Sequence, residues 1–359
     1  MTVSHGDGRT AAGYPPRMTL ARARFHVLLF VAAVFALGLF GSGCGGLPDL
    51  SPGGGTTGGG GTTGGGNPGS TPAGYGVPQQ GYPGWQERAL LVLTNAVRLA
   101  PLDYRAKYAA DFSPSLSAVN ALAAYPAVGP LRWNQALNES ARAHSVDMGT
   151  NGCFQHNSCD GTAWNVRIFS YYTLSGTIGE NIAAGYPSPT DPRYAMGMWL
   201  CDQSGSACCA DGASCDGHRR NMMSTAYRAL GTGYASVASS PYQNYWTQDF
   251  GGAFDGGSPP LVDGSHVFFP SGKVTFLANY VDASAPRSVS AVVDGTAVPL
   301  SVDLGKAASG TWAATAPAGS GCRAYHFEAV DAAGASWRYP ASGEFRTYGE
   351  GGCSTDWAP

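Results

Sequence analysis

The alternation of hydrophobic and polar positions changes along the chain and predicts two kinds of structure. Three stretches have the three-to-four-residue spacing of amphipathic helices: residues 85–100, 134–148 and 192–200. Pro101 ends the first stretch, and Asn134 is a suitable N-cap for the second. Two later stretches are typical of strands: residues 230–236 and 242–250. We therefore expect an α+β domain over residues 85–252.

Beyond residue 256 the pattern changes to short alternating segments separated by turn residues. The candidate strands are 274–280, 288–293, 311–314, 324–330 and 344–347. Asp294 and Gly295 make a typical two-residue hairpin turn. The pattern is similar to that of immunoglobulin-like modules and predicts a small all-β sandwich over residues 258–353. No catalytic constellation stands out there, so we expect a spacer or stabilising cap, with carbohydrate or protein binding as the alternative.

The first residues of the chain are typical of an export signal. Arg22 and Arg24 precede an apolar run at residues 27–40. A helix of that length rises about 21 Å, less than the ~30 Å hydrocarbon core, which favours a signal peptide over a membrane span. Small residues then lead to Cys44, which resembles the lipidated cysteine of a bacterial lipobox. We predict a signal region over residues 1–44, with Met18 as an alternative start, and a membrane-anchoring lipid on Cys44, with plain secretion as the alternative.

Residues 45–84 are dominated by Gly, Thr, Pro and Ser. A segment of this composition buries too little apolar surface to offset its chain entropy. We therefore expect a disordered linker with a root-mean-square reach of roughly 30–35 Å, which would hold the folded part away from a membrane.

Composition and charge narrow the class of protein. The hydrophobic content of 43% is enough for sizeable cores, and the 359 residues allow two domains of ordinary size. The formal net charge is −3, with no run of Lys or Arg to form a basic face. Nucleic-acid binding needs such a face to displace counterions, so we exclude nucleic acid as a partner.

The nine cysteines indicate an oxidised protein outside the cytoplasm. Setting Cys44 aside leaves an even number, all between residues 153 and 353. Cys-x-x-Cys pairs are absent from the cysteine-rich segment 201–215, so disulfides are favoured there over a zinc site. Vicinal cysteines pair poorly with each other. The expected pairings are Cys153 with Cys159, Cys208 and Cys209 outward to Cys201 and Cys215, and Cys322 with Cys353.

Six short motifs follow one another over about 165 residues of the predicted α+β domain: Leu131-Arg-Trp-Asn134, Ala143-His-Ser-Val-Asp-Met148, Phe154-Gln-His156, Gly179-Glu-Asn-Ile-Ala183, Gly217-His-Arg-Arg-Asn-Met222 and Tyr245-Trp-Thr-Gln-Asp-Phe-Gly251. Each is weak alone, but their order resembles the bacterial branch of the CAP superfamily (cysteine-rich secretory, antigen 5 and pathogenesis-related-1; the SCP-like extracellular domain). The resemblance implies a three-layer αβα sandwich.

The resemblance also implies a central cavity lined by two histidines and two acidic residues. The motifs place the histidines at His156 and His218 and the first acid at Glu180. In eukaryotic members the second acid follows a Trp by three positions, which is Asp202 in this sequence. Asp160 is the alternative to Asp202 for the second acid.

Other polar residues of the motifs are candidates for neighbouring roles. Asn181 and Gln248 could line the same cleft, although amides also serve as hydrogen-bonding groups within strands and turns. His144 has apolar neighbours on its predicted helix, so we expect it to be packed or at the rim rather than a ligand.

The four predicted cavity residues allow two chemical interpretations. Two neutral imidazoles can bind a divalent metal such as zinc while carboxylates orient them or accept a proton from bound water. Alternatively, the groups form a buried hydrogen-bond network that holds loops together. No activated Ser or Cys nucleophile accompanies them, so we assign no catalytic residue and leave enzymatic activity open.

The function expected from these residues is an exported ligand- or partner-binding module. The resemblance implies lipid, sterol or protein partners in some members, and a glycan is a further possible ligand. The alternatives are a metal-assisted hydrolase acting on peptide or cell-wall material and a structural or adhesive lipoprotein without a working site.

Overall fold

The computed structural model describes residues 83–109, 121–185, 191–204, 207–269, 273–317, 321–347, 353 and 355–359. All of them belong to one compact unit. The predicted signal region 1–44, the lipidation candidate Cys44 and all but the last two residues of the predicted linker lie outside the described residues. In the part of the chain that is described, no helix has the length and apolarity needed to cross a membrane.

The helices lie in the N-terminal part of this unit: α1 Trp85–Leu99, α2 Pro101–Tyr104, α3 Gln135–Asn151, α4 Trp164–Tyr171, α5 Pro192–Cys201 and α6 Gly217–Met223, with one π-helical turn at Arg105–Ala109. The three predicted helices are present as α1, α3 and α5. Asn134 caps α3, because its side chain accepts the Leu137 backbone N–H at 3.0 Å. Gly152 closes α3 in the left-handed conformation, with φ 69°.

A four-stranded sheet accompanies these helices and consists of β1 Arg132–Trp133, β2 Ile178–Gly185, β5 Ala229–Ser236 and β6 Asn244–Gly251. Its strand order is β1-β5-β6-β2. The β1–β5 pair is parallel and the other two pairs are antiparallel. Two short strands, β3 Gln203–Ser204 and β4 Ala207–Cys208, pair with each other within the cysteine-rich segment.

Helices cover both faces of this sheet. On one face α3 approaches β5 so closely that a Cβ at Gly231 would lie 2.0 Å from the backbone at Leu137 and Asn138. On the other face the next residue of β5, Thr232, donates its hydroxyl to the Glu87 carbonyl of α1 at 2.8 Å. Alternate residues of one strand therefore meet different helical layers, as a central sheet requires. Mixed helix and sheet content of this kind makes the domain α+β.

The C-terminal part is all-β and comprises β7 Leu261–Phe268, β8 Val274–Val281, β9 Ser288–Val293, β10 Thr296–Pro299, β11 Ser301–Lys306, β12 Ser309–Ala316, β13 Arg323–Val330, β14 Ser336–Tyr339, β15 Glu344–Thr347 and β16 Trp357–Ala358. One sheet has the order β11-β12-β8-β7, and the other has the order β10-β9-β13-β15-β16 with β14 beside β13. A cluster that includes Phe276 and Phe327 lies between them. Asp294 and Gly295 form the predicted hairpin turn, with φ 48° and 78°.

Helix α1 lies between the two parts, and all 15 of its residues are buried. An amphipathic surface helix usually exposes its polar face to solvent, but the polar face of α1 is buried as well. The polar face instead contacts the C-terminal part: Asn95 donates to Asp263 of β7 at 2.6 Å, and Asn279 of β8 donates to the Val92 carbonyl at 2.9 Å. These bonds give buried polar groups of α1 partners in the C-terminal part, which lowers the cost of burying the polar face.

The disulfides follow the predicted pairings. They join Cys153 to Cys159, Cys201 to Cys208, Cys209 to Cys215 and Cys322 to Cys353. All but the last close loops of six or seven residues, and these three loops lie next to the predicted site residues.

Candidate functional site

Strand β2 carries the residues on which the candidate site is built. Glu180 and Asn181 are neighbours on β2, and they pair across the sheet with Asp249 and Gln248 of β6. Because side chains alternate along a strand, Glu180 faces one helical layer and Asn181 faces the other. The two predicted histidines reach this strand from separate segments.

The first histidine forms a pair with the predicted first acid. Nδ1 of His156 lies 2.8 Å from Oε1 of Glu180. The other carboxylate oxygen of Glu180 accepts a hydrogen bond from Arg167 of α4, which also forms an ion pair with it. The Glu180 side chain is almost completely buried, whereas the His156 side chain is 52% exposed. The Arg167 charge compensates the buried carboxylate, which in turn orients an accessible imidazole.

Two contacts hold the loop that carries His156. The Cys153–Cys159 disulfide closes the loop around the histidine. Nη1 of Arg167 donates to the His156 carbonyl at 2.9 Å, so the same arginine fixes both the backbone of His156 and its acidic partner. Sequence reasoning missed Arg167, because it belongs to α4, which the hydrophobic pattern does not predict.

The second histidine forms a pair with Asp202. Nδ1 of His218 lies 2.6 Å from Oδ1 of Asp202, and the backbone N–H of His218 donates to Oδ2 at 2.8 Å. Asp202 ends α5 in the left-handed conformation with φ 49°, and His218 lies in the first turn of α6. Both oxygens of one carboxylate therefore hold the ring and the backbone of the same residue.

The cysteine-rich segment positions Asp202 through Arg219. This guanidinium is fully buried and donates to the carbonyls of Leu200 and Cys209, each at 2.6 Å. It also pairs with Asp216 at 2.9 Å. Since Arg219 follows His218 on α6, these bonds tie the end of α5 and the cysteine-rich segment to the helix that carries the histidine.

Asn181 and Gln248 connect the two halves of the site inside the sheet. Nδ2 of Asn181 donates to Oε1 of Gln248 at 3.0 Å and to the His218 carbonyl at 3.2 Å. Gln248 donates to the hydroxyl of Thr94 in α1 at 2.7 Å. Both amides are completely buried, so they act as hydrogen-bonding groups of the strands, the second of the two roles considered for them. Asn221 of α6 adds bonds to Asn181 Oδ1 at 2.9 Å and to the Glu180 carbonyl at 3.2 Å.

Asp249 is a further acidic group at the site that sequence reasoning did not single out. It is completely buried next to Glu180, and its Oδ2 accepts from Ser140 of α3 at 2.7 Å. Burial, followed by the Glu180 charge, raises the pKa of Asp249 well above its ordinary value, while Arg167 opposes the shift. This environment favours the neutral form of the carboxyl. A signal was present in the sequence, because Asp249 is an ionisable residue within an otherwise apolar and amide-rich strand.

Two other acidic or histidine candidates lie outside these pairs. Asp160 is exposed, and its Oδ1 accepts the Thr162 backbone N–H at 2.8 Å, so it makes a local turn and does not contact either histidine. His144 is completely buried on α3, and its Nε2 lies 3.0 Å from the Gln155 carbonyl. Burial lowers the pKa of His144 to about 4, so it is a packed neutral histidine, as expected.

The two ring nitrogens of each paired histidine differ in their contacts. Each Nδ1 is occupied by a carboxylate, so Nε2 is the ring nitrogen left to act as a ligand. Among the described residues, one group of three His, Cys, Asp or Glu donors lies within 4.8 Å of one another: Asp147, Cys153 and Cys159. Its two cysteines form a disulfide, so this group lacks thiolate ligands. Glu180 and Asp202 each contact one of the two histidines, and none of these four residues belongs to that group.

Comparisons with known proteins agree with the motif order. The CAP family, described as the cysteine-rich secretory protein family, matches residues 94–250. The uncharacterized protein YkwD of Bacillus subtilis (strain 168) is 30% identical over 121 residues, which are 34% of this chain and 39% of that protein. This chain therefore spans well under half the length of that relative.

Two solved structures are also similar to parts of the chain. An extracellular protein containing a SCP domain from Bacillus anthracis str. Ames is 25% identical, with a TM-score of 0.30 and coverage of 46% of this chain and 39% of that one. An outer surface protein from Borrelia burgdorferi is 18% identical, with a TM-score of 0.27 and coverage of 39% and 87%. The family match and the Bacillus subtilis relative carry the assignment. Residues 94–250 of this chain therefore form a CAP domain, and the chain is similar to a bacterial relative over part of its length.

Proposed function

We propose that this chain is an exported protein whose CAP domain binds a ligand or partner at the two histidine–carboxylate pairs. The four disulfides support export, because such bonds persist in oxidising compartments. The signal-like run before Cys44 supports a lipid anchor on that cysteine in the cell envelope. The partner class is a lipid, sterol, glycan or protein.

The observation that carries the proposal is the shared arrangement of the two pairs. In both pairs, an almost completely buried carboxylate contacts Nδ1 of the histidine. The other ring nitrogen, Nε2, is then the one that can bind a metal. This is the arrangement that orients histidine ligands in metal sites. We infer that His156 and His218 would hold a divalent metal such as zinc, with Glu180 and Asp202 as orienting groups. Bound zinc would supply a Lewis acid for an oxygen atom of the ligand.

Binding is favoured over covalent catalysis by the state of the cysteines. Every cysteine from Cys153 to Cys353 is disulfide-bonded, so none of them offers a thiolate nucleophile. The accessible groups at the pairs are imidazole nitrogens, and these suit metal or hydrogen-bond recognition.

We further propose that the two C-terminal sheets form an immunoglobulin-like sandwich that serves as a stabilising cap. The burial of the polar face of α1 against β7 and β8 supports this role. The cap would hold Thr94 of α1, and through it Gln248 and the strands of the site.

Zinc titration of the purified chain, followed by calorimetry and elemental analysis, tests the proposed site. We expect uptake of about one equivalent, lost in both His156→Ala and His218→Ala. The matched control is His326→Ala, because Glu344 and Glu328 already occupy its two ring nitrogens at 3.1 Å each. Equal zinc uptake by the wild type and the two site variants would contradict the proposal.

Mass spectrometry of the protein from its native host tests the anchor separately. We expect a diacylglycerol-type mass increase on the peptide that begins at Cys44, and its loss in Cys44→Ser. An unmodified Cys44 in membrane-extracted protein would contradict lipid anchoring without affecting the zinc proposal.

A further inference from the structure

A cavity lies between the CAP domain and the segment 252–258, which leads to the C-terminal part. Its volume is about 750 Å³, and three of its lining residues are arginines: Arg98, Arg132 and Arg228. They come from the last turn of α1, from β1 and from the residue before β5. Arg132 and Arg228 are adjacent across the strand pair, since the Arg132 backbone N–H donates to the Arg228 carbonyl at 2.9 Å. The fold thus gathers three guanidinium groups from distant parts of the sequence around one cavity.

None of the three guanidiniums has a carboxylate partner within ion-pair distance among the described residues. Arg98 donates to the carbonyls of Gly129, Met222 and Ser224. Arg132 donates to the Pro259 carbonyl at 2.7 Å. Arg228 donates to the carbonyls of Thr225 and Tyr227. Backbone carbonyls carry only partial charge, so the three positive charges are not neutralised by these bonds.

The acidic groups near the cavity do not change this balance. Asp263 interacts with Arg132 through space, but its two oxygens accept from Asn95 and Asn279 at 2.6 and 2.7 Å. Burial raises the pKa of Asp263 to about 6, so the carboxyl is still mostly ionised at neutral pH, but Asp263 is buried and does not line the cavity. Asp255 follows Phe254 of the cavity wall but is not itself a lining residue.

The guanidiniums lie close enough to oppose one another. Burial, followed by the charge of Arg228, lowers the pKa of Arg98 to about 10, and only 1% of Arg98 is exposed. The chain has 24 acidic residues against 21 Lys and Arg, yet none of the described ones forms an ion pair with these three arginines. Like charges held together without a counter-ion inside a concave site are the electrostatic arrangement that attracts an anion.

We propose that this cavity is a binding site for a phosphate monoester or inorganic phosphate. A carboxylate has one charge and two oxygens and is satisfied by one bidentate arginine. Arg132 and Arg228 offer guanidinium donors at the cavity wall, and the buried Arg98 adds a third positive charge, which together match the dianionic phosphoryl group with its three terminal oxygens. The hydroxyl residues Thr225 and Ser258 at the wall can add hydrogen bonds. Nothing in this site involves His156 or His218, so it is independent of the proposed metal site.

Calorimetric titration of the full chain tests the proposal with four probes: inorganic phosphate, glycerol 3-phosphate, dimethyl phosphate and acetate. We expect the first two to bind, dimethyl phosphate and acetate to bind at least about tenfold more weakly, and affinity to fall with added salt. Tighter binding of glycerol 3-phosphate would identify an organic monoester as the ligand, and equal binding would identify the free phosphate ion.

Arg132→Gln and Arg228→Gln provide the residue-level test. Each should reduce phosphate affinity at least about tenfold through loss of charged hydrogen bonds. Arg287→Gln is the matched control, because Arg287 is also exposed and donates only to a backbone carbonyl, that of Ala332. Arg228 is itself exposed, so its variant should fold normally, and the thermal midpoint of each variant checks this. Absence of phosphate binding by the wild type, or equal affinity in Arg228→Gln and Arg287→Gln, would overturn the proposal.

Discussion

Each histidine of the candidate site has a buried carboxylate within hydrogen-bond distance of its Nδ1. The sequence motifs predict His156, Glu180 and His218, and Asp202 is predicted by its spacing from Trp199 in the family resemblance, with Asp160 as the alternative. They do not predict the supporting groups Arg167 and Asp249, which reach Glu180 from α4 and β6 through the tertiary fold. Contacts between distant segments depend on strand register and helix placement, which residue types alone do not determine.

Titration of His144 should make the folded state less stable in mild acid. Its folded pKa of about 4 lies below the unfolded value of 6.5, so the unfolded chain binds more protons between these values. The stability contributed by neutral His144 is complete above pH 6.5 and falls by up to about 3 kcal/mol by pH 4. Urea unfolding of His144→Gln, whose amide can still donate to the Gln155 carbonyl, should show a smaller decline. His326→Gln is the control, and an equal decline in wild type and His144→Gln would refute this assignment.

Asp249 should have the opposite effect on stability. Its folded pKa is raised, so the folded state binds more protons above the unfolded pKa and stability falls as the pH increases. Asp249→Asn removes this proton uptake and keeps an oxygen that can accept from Ser140. We expect the free energy of unfolding of the variant, relative to wild type, to increase between pH 5 and pH 8 in urea titrations. A difference that stays constant with pH would mean that Asp249 is ionised in the folded protein.

At the scale of elements, α1 shows which features of a helix its hydrophobic pattern predicts. The pattern predicts its limits, because Pro101 and the apolar spacing are local signals. It does not predict that the polar face is buried, because this burial depends on contacts with the sheets of the C-terminal part. Strand β2 escaped prediction for a related reason: seven of its eight residues are buried, including Glu180 and Asn181, so its polarity does not alternate with exposure.

The N-terminus of α1 depends on the end of the chain. Asp356 accepts the Trp85 backbone N–H at 2.6 Å and pairs with the buried Arg88 at 3.5 Å. Asp356→Ala leaves the Arg88 charge uncompensated, so we expect a loss of about 3–5 kcal/mol in the free energy of unfolding. Denaturant titration measures the loss.

The control for this substitution is Arg323→Gln, which breaks the partly exposed pair between Arg323 and Asp294. A surface pair contributes at most about 1 kcal/mol. Equal losses in the two variants would show that the Arg88–Asp356 contact contributes no more than a surface pair.

At the scale of the whole molecule, the two predicted domains share one helix. Trp85 donates its indole N–H to the His266 carbonyl of β7 at 2.8 Å, while Glu87 of the same helix accepts from β5. The change from helical to alternating patterns predicts the two kinds of structure. The packing of one against the other could not be predicted, because the residues that join them are polar and have no periodic signal.

This sharing predicts that the CAP domain is unstable without the C-terminal sheets. Truncation after residue 257 would expose one side of α1, including Asn95, whose partner Asp263 would be lost. We expect the shortened chain to lose its cooperative thermal unfolding transition in calorimetry. A chain that lacks only residues 1–82 should keep that cooperative transition. A cooperative transition at the wild-type temperature in the truncated chain would show that the C-terminal part is a separate module.

Nitrogen-15 spectra of the histidine side chains would show whether the two rings bind one metal ion through the same nitrogen. We predict that His156 and His218 both carry their proton on Nδ1 and that zinc shifts both Nε2 resonances together at the same molar ratio. A zinc response from only one of the two rings, or from Nδ1 in place of Nε2, would contradict the proposed site.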